Sequence, residues 1–312
     1  MKQKLAKIAV IGLSGQSIFM HLDDFPIPSV TTHAKSYYEE PGGKGYNQAV
    51  ACSKLGCKVS YLSKVGNDYY GKYCKDYMES LNIKTFFIKD SKEKTALATI
   101  LILKNGENEV IVNPGASKNL NYEDLIVFSK EIIDANVLLL QYEINIDIVK
   151  KAISIAKEAK IITILNPAPA IYNDQKILES VDILTPNLEE AKKLYCLPHN
   201  ISIDDMGKYL AEKVSNILII TLGNKGCLLI QNKKYKYYPA FKVTTVDTTG
   251  AGDIFNATLA TMIAKKNSID EAIKYAMAAA ALSVTRPYVI NAIPNNDEIC
   301  KFLKLYNLKE KY

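Results

Sequence analysis

The run Val246-Asp247-Thr248-Thr249-Gly250-Ala251-Gly252-Asp253 joins a small-residue turn to an acidic side chain. A Gly-Ala-Gly turn has no bulky side chains, so its backbone N–H groups can come close to a ligand. The residues after it, Ile254-Phe255-Asn256-Ala257-Thr258-Leu259-Ala260, are helical in composition. The turn therefore opens a helix, whose N-terminus adds partial positive charge. Together these features suit an anion such as a transferring phosphoryl group. Asp253 would stand beside that anion, where a base is needed to take the proton of an attacking hydroxyl. A plain glycine turn with an acidic first-turn residue is the alternative reading.

Three further stretches carry polar groups at element ends. Pro41-Gly42-Gly43-Lys44-Gly45-Tyr46-Asn47-Gln48-Ala49-Val50 opens a helix. Lys44 and Asn47 are three apart and project from one side of its first turn, where an amine and an amide can bond hydroxyls. The Walker pattern G-x-x-x-x-G-K-[ST] is absent. Thr185-Pro186-Asn187-Leu188-Glu189-Glu190 follows a strand. Asn187 is a good N-cap and Glu190 completes a capping box; alternatively the pair holds a hydrated Mg²⁺ near phosphates. Thr221-Leu222-Gly223-Asn224-Lys225-Gly226 ends another strand, and its glycines serve either a hairpin turn or a nucleotide lying on backbone. Glu143 follows a strand at residues 136–141, a carboxyl-end position that favours ligand contact, with a plain surface-loop acid as the alternative reading.

Alternating strand and helix patterns supply the frame for these residues. Strands are expected at 7–13, 57–64, 136–141, 161–165, 181–184 and 217–221. Helices are expected at 44–56, 68–81, 146–160, from Asn187, and at 202–215, 251–266, 268–285 and 295–307. Such alternation predicts an α/β fold, a doubly wound and mostly parallel sheet with helices on both faces. Two stretches break it. Residues 14–41 show no helix, and residues 95–113 read as a hairpin around Asn105-Gly106. Read as insertions at the carboxyl side of the sheet, they predict a small β-sheet lid on a single domain spanning residues 1–312.

The chain has 312 residues, 48% of them hydrophobic, and a net charge of +6. The lysines are scattered among acids, which argues against a nucleic-acid face. The six cysteines form no C-x-x-C pair, and Cys52, Cys196 and Cys227 read as reduced core thiols. No apolar run reaches the length of a membrane helix, and the first strand begins near the N-terminus without a signal-peptide pattern, so a cytoplasmic protein is expected.

In order and spacing, Gly42-Gly43-Lys44-Gly45 with Asn47, Asn187-x-x-Glu190, Thr221-x-Gly223 and Asp247-Thr-x-Gly250-Ala251-Gly252-Asp253 resemble the ribokinase-like (PfkB) sugar kinases. Leu165-Asn166-Pro167-Ala168-Pro169-Ala170 and Val284-Thr285-Arg286 add to the likeness, which runs from about residue 7 to residue 300. The resemblance implies phosphorylation of a sugar hydroxymethyl group by ATP with Mg²⁺, ribose leading. It implies Asp253 as base and Gly250, Ala251 and Gly252 as the anion hole. Asn187 and Glu190 would organise metal and phosphates, with Thr221, Gly223 and Gly226 along the nucleotide. Gly42, Gly43, Lys44, Asn47 and Glu143 would bind the sugar, and Asp247 and Thr249 a monovalent cation, K⁺. It also implies a homodimer paired through the lids. The sequence departs from the family at two places. Gly15 and Ser17 stand where an amide and a carboxylate grip sugar hydroxyls, and Ala292 replaces a serine near the cation. Fructose, a sugar acid or a nucleoside are the alternative acceptors, and a non-catalytic sugar or nucleotide sensor is the alternative class.

Overall fold

The computed structural model describes residues 5–104, 107–171 and 174–309; the expected Asn105-Gly106 turn lies outside them. In chain order the strands are β1 (Lys7–Ile11), β2 (Gly15–Leu22), β3 (Ser36–Gly42), β4 (Lys58–Gly66), β5 (Lys84–Asp90), β6 (Ala96–Leu103), β7 (Asn108–Asn113), β8 (Val137–Gln141), β9 (Ile162–Asn166), β10 (Ile183–Leu184), β11 (Ile217–Thr221), β12 (Gly226–Gln231) and β13 (Lys234–Pro239). Nine of them form one sheet in the order β13-β12-β11-β10-β9-β8-β1-β4-β5. It is parallel from β5 to β11 and antiparallel at β12 and β13. The other four form a separate sheet, β3-β2-β6-β7.

Strand alternation divides the large sheet's side chains between two cores. Ile8, Val10, Val137, Leu139, Ile164, Ile183 and Ile219 face one of them. Helices Lys44–Lys54, Tyr69–Ser80, Ala251–Ala264, Ile269–Ser283 and Asn296–Lys309 cover that side. Ala9, Ile11, Leu138, Leu140, Leu165, Leu184, Leu218 and Ile220 face the other. Helices Tyr122–Ile133, Ile146–Glu158, Gln175–Ser180, Leu188–Leu194 and Ile203–Lys213 cover it. Each fully buried Val, Leu or Ile stabilises the fold by about 1.5–3 kcal/mol before chain entropy is counted. Strands buried on both faces read as continuous apolar runs, such as Val-Leu-Leu-Leu in β8.

The doubly wound sheet matches the expectation from the sequence. Several elements were not expected. Strand β5, helices Tyr122–Ile133 and Gln175–Ser180, and the β12–β13 hairpin are present. Cys52 and Cys227 are buried, but Cys196 is exposed. It follows the end of helix Leu188–Leu194 at a left-handed φ of 51°, which turns its side chain out of the core.

The winding leaves β1 with β4 on one side and β8 on the other. The chain fills the β4–β5 side first and the β8–β11 side later. Connections from the carboxyl ends of β1 and β8 therefore diverge and open a crevice.

Candidate active site

Two helix N-termini point into this crevice. The first belongs to helix Lys44–Lys54, whose N-cap Gly43 has φ 114°, a conformation that favours glycine. A side chain there would also meet the Leu13 carbonyl oxygen at 2.4 Å. The second belongs to helix Ala251–Ala264, capped by Gly250 at φ 73°. A Cβ on Gly250 would lie 2.4 Å from Val289 Cγ1, so Val289 sits directly on this turn.

Asp253, 7% exposed, lies between the two N-termini. Its Oδ2 accepts from Asn47 Nδ2 at 2.9 Å and its Oδ1 from Gln48 Nε2 at 2.9 Å. Gln48 in turn accepts from Gln141 Nε2 at 2.6 Å and donates to Asn166 Oδ1 at 3.3 Å. Asn166 Nδ2 donates to the Thr185 carbonyl, and Thr185 Oγ1 to Asn256 Oδ1. This chain of amides ties the ends of β8 and β9 to Asp253 and fixes its rotamer. Desolvation raises the Asp253 pKa, opposed by Lys44 and the two amide donors.

On one side of Asp253 is a cavity of about 150 Å³. Its polar lining includes Gln16, Ser17, Lys44, Asn47, Glu143 and Asp253, alongside Gly15, Gly42, Gly43, Thr249 and Gly250. The four-stranded sheet roofs it with Phe19, Ala98, Ile100, Val110 and Val112. Glu143 Oε2 accepts from the Lys44 backbone N–H at 2.7 Å. Desolvation pushes the Glu143 carboxyl up to about 7, with Lys44 opposing and Asp253 adding to the rise. Burial works against charge on Lys44, but Asp253, Glu143 and Glu190 outweigh it and its pKa rises. Asn47 Oδ1 and Gln16 Oε1 are buried without a hydrogen-bond partner among the described residues. Such acceptors suit the hydroxyls of a ligand.

On the other side is a larger cavity of about 470 Å³, lined by Thr221, Gly223, Gly226, Thr248, Ala251 and Gly252, with Phe241, Phe255 and Met277 as apolar walls. A side chain on Gly252 would meet nothing within 4 Å, so its backbone is open to a ligand. Asn187 and Glu190 form a reciprocal capping box on helix Leu188–Leu194. Glu190 is also close enough to Lys44 and Asp253 to interact electrostatically with both. The capping box is therefore present, with Glu190 within electrostatic reach of the crevice. Asp247 Oδ1 accepts from the Thr249 N–H and hydroxyl, and Oδ2 from the Tyr288 N–H.

The sequence reading did not single out Gln48, Gln141, Asn166 or Asn256. A signal existed for two of them: Gln141 and Asn166 are the polar last residues of apolar strands. Glu40 was also missed. It is 3% exposed, and desolvation pushes its carboxyl up to about 7 although two backbone N–H groups oppose the rise.

The model for "pfkB family carbohydrate kinase" matches residues 5–296. The ribokinase of Haemophilus influenzae is 34% identical, over 95% of this chain and 98% of its own. The deoxyribokinase of Salmonella typhi is 32% identical over 96% and 99%. The structure of the Arabidopsis thaliana ribokinase complexed with ribose and ATP superposes with a TM-score of 0.85, at 26% identity over 96% of this chain and 99% of that one. With a matched model over nearly the whole chain, and relatives above 30% identity along their full length, this protein belongs to the pfkB family of carbohydrate kinases and is a phosphotransferase acting on a sugar.

Proposed function

We propose that the protein transfers the γ-phosphoryl group of ATP to the hydroxymethyl group of a pentose, with ribose as lead acceptor. One observation carries this reading: two cavities flank residues 250–253, the smaller one holding Asp253 and the larger one bounded by Ala251 and Gly252. The acceptor lies in the first, its hydroxyls bonded by Lys44, Asn47 and Glu143. The nucleotide lies in the second, along Thr221, Gly223 and Gly226. Asp253 takes the hydroxyl proton as the acceptor oxygen bonds to the γ-phosphorus and the bond to the β-phosphate oxygen breaks, releasing ADP. The backbone N–H groups of Gly250, Ala251 and Gly252 stabilise the charge on the transferring group.

The oxygen chemistry of Glu190 fits Mg²⁺ held through water, with phosphates completing the shell. When bound, Mg²⁺ neutralises phosphate charge. The side chains fit K⁺ less well. Ala292 offers no side-chain oxygen, although Asp247 Oδ2, which among the described residues accepts only the Tyr288 N–H, keeps a lone pair. We expect K⁺ to activate turnover only weakly, with one side-chain ligand fewer at Ala292.

A second acceptor has its own support. Ser17 lines the acceptor cavity where ribokinases carry a carboxylate. Losing an acceptor of two hydroxyl hydrogens disfavours a fully hydroxylated sugar. A deoxypentose needs one bond fewer. The four-stranded sheet acts as the lid, excluding water from the transfer.

The test is coupled ADP release with Mg-ATP over ribose, deoxyribose, fructose, sugar acids and nucleosides, with and without K⁺. Turnover on a pentose above all others supports the reading. A nucleoside or sugar acid preferred by a large factor overturns it.

A further inference from the structure

We propose that Glu40 is a positioning residue for the transfer step proposed above: its carboxylate clamps residues 289–290 onto the Gly250 turn. Glu40 lies on β3 of the four-stranded sheet, yet its oxygens face a segment far along the chain. Oε1 accepts from the Val289 N–H at 2.8 Å and Oε2 from the Ile290 N–H at 3.1 Å. The preceding N–H, that of Tyr288, goes to Asp247 Oδ2 at 2.9 Å. Two carboxylates therefore take three successive N–H groups, and Lys54 Nζ donates to the Ile290 carbonyl at 2.7 Å. A carboxylate this buried is costly unless hydrogen-bonded.

The held segment touches both sides of the site. Val289 packs on Gly250, as its Cγ1 position shows, and it lines the acceptor cavity. It also packs with Phe19 and Ile100 of the roof. Tyr288 stacks on Tyr38 with ring centroids 3.8 Å apart, and Asn291 Nδ2 donates to the Tyr38 hydroxyl at 2.9 Å. The geometry thus runs from Glu40 through Val289 to the turn whose N–H groups are proposed to stabilise the transferring phosphoryl group. Glu40 touches neither substrate; it acts by holding the turn at the distance transfer requires.

The experiment uses Glu40→Gln, which keeps size but offers one acceptor to two N–H groups. Amide hydrogen exchange is measured on the full chain. Faster exchange is expected both at residues 289–290 and at residues 250–253. In steady state, kcat falls by about ten- to a hundredfold with the KM for ATP unchanged. Val289→Ala also lowers kcat, and the double variant is no slower than Glu40→Gln alone, because both act through one contact. Should Glu40→Gln fail to fold, Val289→Ala must free residues 250–253 while residues 289–290 stay protected. Unchanged exchange at residues 250–253 in the folded variants overturns the proposal, as do losses that multiply. A wild type that phosphorylates no acceptor overturns the kinase reading, while the exchange data still decide the clamp.

Discussion

At the scale of single residues, the site separates charge by role. Asp253 has both oxygens occupied by amide donors, so its position is set before substrate arrives. Asp253→Asn keeps its size and removes the base. Turnover should fall by about a hundredfold or more, while isothermal titration still shows ATP binding; a variant that keeps a substantial fraction of the wild-type rate would remove Asp253 from its role. Glu143 makes a different prediction. Its carboxyl sits near 7 in the fold against 4.5 ordinarily, so folding favours the protonated form. Its contribution to stability is full below about pH 4.5 and is lost as pH rises through about 7. Glu143→Gln is neutral throughout. The stability of the wild type relative to this variant should therefore fall across that window in denaturant titrations of the apo protein, and a difference independent of pH would contradict the assignment. Asp253 was visible in the sequence because a glycine turn preceded it. Gln48 and Glu40 were not, since their partners are 205 and 249 residues away in the chain. No local pattern encodes such pairs.

At the scale of elements, legibility followed periodicity. Strands buried on both faces and helices with one apolar face were readable. Strands β2 and β3 were not drawn, because each mixes polar and apolar side chains on both faces: Glu40 is buried and Tyr37 is 69% exposed on one strand. Helix Tyr122–Ile133 was passed over although Asn121 and Asp124 form a capping box at its start; Leu125-Ile126-Val127-Phe128 reads locally as a strand. The register of β2 explains the first departure from the family. Gly15 pairs with Ala96, and a Cβ at Gly15 would lie 2.4 Å from the Ala96 carbonyl oxygen. The obstruction is backbone, so β2 and β6 must part to admit an amide side chain. Gly15→Asn should cost about 1–3 kcal/mol, read as a lowered melting midpoint. Ser17 lines the cavity on the same strand, its Oγ lying against Gly42. Ser17→Asp should raise the kcat/KM ratio of ribose over deoxyribose several-fold by restoring an acceptor for hydroxyl hydrogens. An unchanged ratio would mean that position 17 does not read the sugar.

At the scale of the whole molecule, the two sheets divide the work. The nine-stranded sheet fixes the crevice, and the four-stranded sheet closes over it. The smaller sheet ends in two edge strands, β3 and β7. Unpaired edges with apolar side chains invite pairing with another chain. The register places Ile111 and Tyr37 on the face turned away from the acceptor cavity: Ile111 lies opposite Thr99, Thr99 opposite Ile18, and Met20 opposite Tyr37. They are 63% and 69% exposed. A second copy related by a two-fold axis would cover both faces at once, since each copy offers the same patch. We therefore expect a homodimer at micromolar concentration in sedimentation velocity. Ile111→Lys puts a charge on the β7 side of that patch without touching the site's polar lining, so it should shift the sedimentation profile to the monomer and leave ATP binding intact. If the wild type sediments as a monomer, or if the lysine variant stays dimeric, the pairing does not run through this sheet.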